Sequence, residues 1–171
     1  DWVSADAIIV NGEGYKKIQK NDGLNYGLGL TLTPVKGFQI RLYGGLNESS
    51  EEGKKDIVNM AAFVGYKHER FTIGAEYNQM WNASYSDNAD QNGYSIFASA
   101  KLSKLTDIYA RYDDLNSKDD WNIEKDESAA IIGAQFKLGK YVKIAPNFRM
   151  SMPKADGAKN GYSAYVNCYF G

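Results

Sequence analysis

The chain has 171 residues, with 17 glycines and 13 tyrosines against three prolines, and carries 20 Lys and Arg against 21 Asp and Glu. That balance excludes a basic footprint for nucleic acid. A single cysteine, Cys168, and a single histidine, His68, exclude an internal disulfide and a tetrahedral zinc site built from those residues. No apolar run approaches the ~18 residues that a spanning helix needs, and Gly and Tyr in this abundance favour turns and strands.

Taken in chain order, ten segments alternate between apolar and polar residues: "WVSADAIIVN", "NYGLGLTLTP", "FQIRLYGGLN", "IVNMAAFVGYKH", "FTIGAEYNQMW", "GYSIFASAKL", "TDIYARYDDLN", "SAAIIGAQFKL", "YVKIAPNFRMSM" and "GYSAYVNCYFG". Successive strand residues point to opposite faces, so each segment predicts a strand with one apolar and one polar side. The segments are near the length of a tilted strand that crosses a bilayer. No stretch of helical period competes with them. The opening at Asp1, with no initiator Met and no leader, reads as a mature or trimmed chain, and one domain over residues 1–171 is expected.

The connections alternate too. "VKG", "ER", "SKL" and "GKY" are short, whereas "GEGYKKIQKNDGL", "ESSEEGKKD", "NASYSDNADQN", "SKDDWNIEKDE" and "PKADGAKN" are longer and polar. An up-and-down meander then carries tight turns at one end and long loops at the other, with both termini at the tight-turn end. This asymmetry is that of an outer-membrane barrel, with short periplasmic turns and long extracellular loops.

Sorting residues by parity shows which side meets lipid. One face carries Leu28, Leu30, Leu42, Met60, Ile73, Ile96, Ile132 and Val166 and is almost free of charge. The other carries Asp6, Arg41, Lys67, Glu76, Lys101, Asp107, Arg111, Asp113, Lys137, Lys143 and Arg149. On the apolar face Tyr26, Trp81, Tyr94 and Tyr162 fall at the long-loop end, and Phe38, Tyr66, Phe71, Phe136 and Phe170 at the short-turn end. Tyr and Trp gather where an apolar body meets a wet boundary, so two aromatic belts imply the two boundaries of a bilayer. The expected fold is an all-β, transmembrane, up-and-down antiparallel barrel of about ten strands, closed so that no backbone group is left unpaired in lipid. The mean hydropathy of −0.50 is compatible with this, because only half of each spanning strand is apolar.

"NGEGY" after the first strand, "YGLGLTLTPVKGFQIRLYGG", "FTIGAEYNQMW", "SIFASAKLSKLTDIYARYDDLN" and the terminal Tyr169-Phe170 resemble the later strands of porin-like outer-membrane barrels of Bacteroidetes-type bacteria. The broader likeness is to the phosphate-selective porin O and P family. The resemblance implies a bacterial outer-membrane location and a role in transport; members of that family are typically much longer.

Residues with other chemical possibilities read more plainly. His68 lies in a short turn, away from where an outer-membrane protease or phospholipase would need it. "GEG", Gly12 to Gly14, matches part of a nucleotide fingerprint but opens no apolar helix. Asp87 and Asp90, and Asp119, Asp120 and Asp126, lack the ligand spacing of a calcium loop. No catalytic residue, metal or cofactor is called for.

Seven basic residues against four acidic ones on the polar face bias a water-filled lumen towards anions; in a closed barrel they would instead form a salt-bridge plug. Inward Tyr43, Phe63, Phe97, Tyr109, Tyr165 and Tyr169 are expected to take up room in so narrow a barrel. The leading function is a porin-like passive channel for small solutes, anions among them, with outer-membrane lipid as its surroundings. The alternative is a closed barrel that anchors or partners other outer-membrane proteins in a larger envelope complex.

Overall fold

The computed structural model describes residues 2–12 and 23–171. It contains ten strands: β1 (Val3–Asn11), β2 (Leu24–Leu32), β3 (Phe38–Asn47), β4 (Ile57–Lys67), β5 (Phe71–Trp81), β6 (Gln91–Lys101), β7 (Thr106–Ser117), β8 (Glu127–Lys137), β9 (Val142–Pro153) and β10 (Gly161–Phe170). They form one sheet in sequence order, each strand antiparallel to the next. The alternating segments therefore become strands in a meander. Three short 3-10 turns, Ala83–Tyr85, Lys118–Asp120 and Ile123–Lys125, lie in the long connections.

The tight turns span 33–37, 68–70, 102–105 and 138–141, and the described long loops span 48–56, 82–90, 118–126 and 154–160. Gly37 and Gly139 supply the left-handed backbone of two tight turns, with φ of 84° and 88°. At Gly37 a side chain would also run into the carbonyl of Lys67, whose amide donates to Gly37 O at 2.7 Å. Val3 pairs with Leu32, and Phe170 with Val142, so both edge strands have an end at the tight-turn side.

The sheet encloses no core. Among the described residues Ile57 and Ala145 are its buried apolar residues, Ala83 and Ala89 are buried in the connection 82–90, and no side chain is fully enclosed. Leu28 and Ile132 are each 63% exposed in the middle of their strands. A chain of this length in water would bury such residues against a second layer. Here the apolar face has no protein to cover it, which is the condition of a surface solvated by lipid.

β1 and β10 pair on one side only, and no ladder joins them among the described residues, so the expected closure is not present and the sheet stands open. Backbone groups on both free edges have to be paired in hydrocarbon, because nothing in a bilayer core can replace those hydrogen bonds.

Candidate functional site

The polar face is assembled by cross-strand register. One row runs Thr31, Arg41, Phe63, Glu76, Ser95, Asp113 across β2 to β7. A second runs Phe97, Arg111, Ile131, Arg149, Ser163 across β6 to β10, so two guanidinium groups flank Ile131. Nearer the turns, Lys101 faces Asp107, which faces Gln135, and Lys137 faces Lys143. Lys67 begins the row through Thr72, Ser99 and Tyr109. Asp6 is paired with Gly29, two residues before Thr31. The eleven charged residues singled out in the sequence thus occupy one face of one sheet. Glu127 joins them, two residues before Ala129 on the same side of β8, and accepts from Ser151 Oγ at 2.6 Å. Sequence reading left Glu127 in the preceding loop, although extending the alternation by one step would have found it.

Three of the cations are matched by carboxylates. Arg41 grips Asp6 with both terminal nitrogens, at 2.7 and 2.9 Å, and donates to Thr31 Oγ1 at 2.8 Å. Arg111 Nε lies 2.8 Å from both oxygens of Asp113, which also accepts from Ser95 Oγ. Lys137 Nζ is 3.2 Å from Asp107. Arg149 has no carboxylate partner among the described residues; its Nε donates to Asn147 Oδ1 at 2.9 Å and its guanidinium stands 4.7 Å from the centre of the Tyr165 ring. Lys67, Lys101 and Lys143 form no ion pair among the described residues and are exposed. Against these four stand two acids without a cation partner among the described residues, Glu76 and Glu127, so the face keeps an excess of positive charge.

The aromatic residues of the polar face meet bare backbone on neighbouring strands. A Cβ at Gly74 would come within 2.5 Å of Phe97 Cζ and 3.1 Å of Phe63. At Gly133 it would meet the Tyr109 ring at 2.6 Å, and at Gly27 the Tyr43 hydroxyl at 2.6 Å. The Phe63 and Phe97 rings are nearly parallel, 11° apart, with centres separated by 6.3 Å. The rings of Tyr43, Phe63, Phe97 and Tyr109 are thus seated over glycines of neighbouring strands and lie along the wall.

On the apolar face the aromatics gather near the two ends. At the turn end Phe38 faces Tyr66, and Tyr66 lies 5.9 Å from Phe71. Phe136 faces Ile144, and Phe170 faces Val142. At the loop end Tyr26 accompanies Leu46, Trp81 faces Val58, and Tyr162 lies 6.1 Å from Phe148. Tyr94 packs 6.0 Å from Tyr112 and faces Tyr77 across β5, two tyrosines that the sequence reading omitted although each continues the parity of its strand. Just beyond Tyr112 the face turns polar: Asp114 accepts from Lys154 at 2.9 Å, from Ser128 at 2.5 Å and from Asn116.

The long loops are tied to one another. Asp126, 2% exposed, accepts from the Ser117 amide at 2.6 Å and its hydroxyl at 2.7 Å. The Asp90 carbonyl accepts from Trp121 Nε1 and the Lys118 amide, and Asn82 Nδ2 donates to Asp56 O at 3.0 Å. Asp90 and Asp126 are thus engaged in separate bonds, and no group of three or more His, Cys, Asp and Glu able to hold a metal occurs among the described residues. His68 sits in its turn with Nδ1 accepting from the Arg70 amide at 3.3 Å and its ring on Phe71. Of the glycine-rich stretch, only Gly12 belongs to the described residues, bonded through its amide to Gly23 O; Glu13 and Gly14 lie outside them.

Comparison with known proteins gives this arrangement a family. No curated protein sequence matches. Among solved structures, the anion-selective porin from Comamonas acidovorans superposes with a TM-score of 0.72 at 16% identity, over 99% of this chain and 51% of its own. In-vitro folded OmpT, an outer membrane protein of Vibrio cholerae in trimer form, superposes with a TM-score of 0.51 at 14% identity, over 98% of this chain and 64% of its own. The chain thus spans about half the length of the first of these and under two thirds of the second. At such identities the likeness is one of fold, an outer-membrane β-barrel. The sequence profile of the Gram-negative porins matches residues 4–154, and the chain belongs to that family.

Proposed function

We propose that the chain forms the wall of a passive outer-membrane channel for small solutes that favours anions. In this reading the polar face lines the lumen, the apolar face meets lipid, and the two aromatic groups mark its boundaries. The ten strands act as one domain, with tight turns and both strand ends periplasmic and the long loops extracellular. The observation that carries the reading is the set of cations without carboxylate partners, Lys67, Lys101, Lys143 and Arg149, on the face that the matched acids leave net positive. Rings of Lys and Arg in a wet pore attract anions and repel cations. The aromatic residues folded over glycines lie against the wall of that pore. The description of the Comamonas acidovorans neighbour as anion-selective agrees with this reading.

Reversal potential in a planar bilayer under a KCl gradient tests it. Displacement towards the chloride equilibrium potential is expected. A potential displaced towards potassium, or no current from a sample shown to be folded, would contradict it.

A further inference from the structure

The near-neutral total charge conceals a sorting by end. Every tight turn carries one basic tip, Lys36, Arg70, Lys104 or Lys140, and all four are exposed. Among the described residues the acids at that end are Glu69 and Asp107, the second held by Lys137. Among the described residues the long loops are instead rich in acids, such as Glu51, Glu52, Asp56, Asp87, Asp119 and Asp120. Beside the basic tips stand apolar side chains with nothing on them: Val35, Leu102, Leu105, Leu138 and Tyr141 are each 55% exposed or more. Arg70 is followed by Phe71, 43% exposed, and Lys140 Nζ lies 5.1 Å from the centre of the Tyr141 ring. The aromatic group formed by Phe38, Tyr66, Phe71 and Phe136 lies immediately above, on the apolar face.

We propose that the tight-turn end is a docking surface for anionic phospholipid. An apolar side chain beside a cation matches the boundary where acyl chains meet phosphate groups: the apolar group enters the chains while the lysine stem reaches out to the headgroup. The four cations are spread one to a turn along the rim. A leaflet meets such a rim at a single depth, whereas a folded acidic protein would be served better by a concentrated patch. Anionic headgroups draw basic residues at this depth, and salt weakens the attraction. The surface is separate from the lumen and depends only on the apolar face lying in lipid.

The test is electron paramagnetic resonance of spin-labelled phosphatidylglycerol and phosphatidylcholine, with the full chain reconstituted in phosphatidylcholine vesicles. The fraction of each label held at the protein gives their relative association. A preference for phosphatidylglycerol of about twofold or more at low salt, lost at high salt, is expected. The combined variant Lys36→Gln, Arg70→Gln, Lys104→Gln, Lys140→Gln should abolish it, and Lys67→Gln, Lys101→Gln, Lys143→Gln should leave it intact. Equal association of the two lipids with the native chain, or a preference that survives the turn variant, would overturn the proposal. So would an acidic protein held by the turn end without any preference for phosphatidylglycerol. If the turn variant does not fold, salt titration of the native chain decides, and a preference that salt leaves unchanged is disproof. Conductance of the same sample separates the two readings: lipid preference without current would sink the channel and leave the docking surface standing.

Discussion

Phe97 on β6 lies across the bare backbone of Gly74 on β5, its Cζ 2.5 Å from the position a Cβ would take. Gly74→Val should therefore drive the Phe97 and Phe63 rings off the wall. Overpacking of this kind costs about 1 to 3 kcal/mol, readable as a lower midpoint in denaturant. Single-channel conductance should fall in the same variant, and Phe97→Ala added to it should restore much of the current. Unchanged conductance in folded Gly74→Val would show that the rings do not border the path of the ions.

Replacing the unmatched cations should reduce selectivity in proportion to their number. Combining Lys67→Gln, Lys101→Gln, Lys143→Gln and Arg149→Gln leaves Glu76 and Glu127 as the unmatched charges and is expected to carry the reversal potential past zero towards the potassium side. Asp6→Asn should act in the opposite sense, because it frees the Arg41 guanidinium that both carboxylate oxygens now hold. Reversal potentials that move together in the two variants would contradict this assignment.

How much of this was legible in the sequence follows from what alternation encodes. Period 2 is a local property, so the ten strands and the two faces could be read from residues such as Ile144, Phe148 and Arg149 alone. Pairing between strands is not local. That Phe97 meets Gly74, and Tyr109 meets Gly133, depends on turn lengths and register, so alternation shows these rings as inward but not as seated over glycines. The same holds for the edges: alternation in β1 and β10 says which way Ile9 and Val166 point, but not which strand each edge pairs with. Glu127 was missed because the hydrophilic run before it resembles the loop that it leaves.

The loop end has a buried anchor in Asp126. Asp126→Ala strands the amide and hydroxyl of Ser117, and leaving buried partners unsatisfied costs roughly 1 to 3 kcal/mol. Limited proteolysis should then cut within 118–126 at protease concentrations that spare the native chain. Resistance equal to the native chain would place the stability of this loop elsewhere.

A charge on the apolar face should be costly where it sits deepest. Ile132→Lys, in the middle of β8, is expected to destabilise the membrane-inserted fold by about 2 to 4 kcal/mol in denaturant unfolding from vesicles. Ser99→Lys, on the polar face of β6 between Thr72 and Tyr109, should cost much less. Equal penalties would argue against one face in lipid and one in water.

Which face of the sheet meets lipid decides whether the charged residues line a lumen, and accessibility along β9 tests this most directly. In a Cys168→Ser background, single cysteines at each position from Lys143 to Met150 would be exposed to a water-soluble thiol reagent after reconstitution into vesicles. Labelling at 143 and 149, with protection at 144, 146, 148 and 150, is the predicted result, Ala145 and Asn147 being buried between the two reactive positions. Labelling of the opposite set, or of all positions alike, would contradict it.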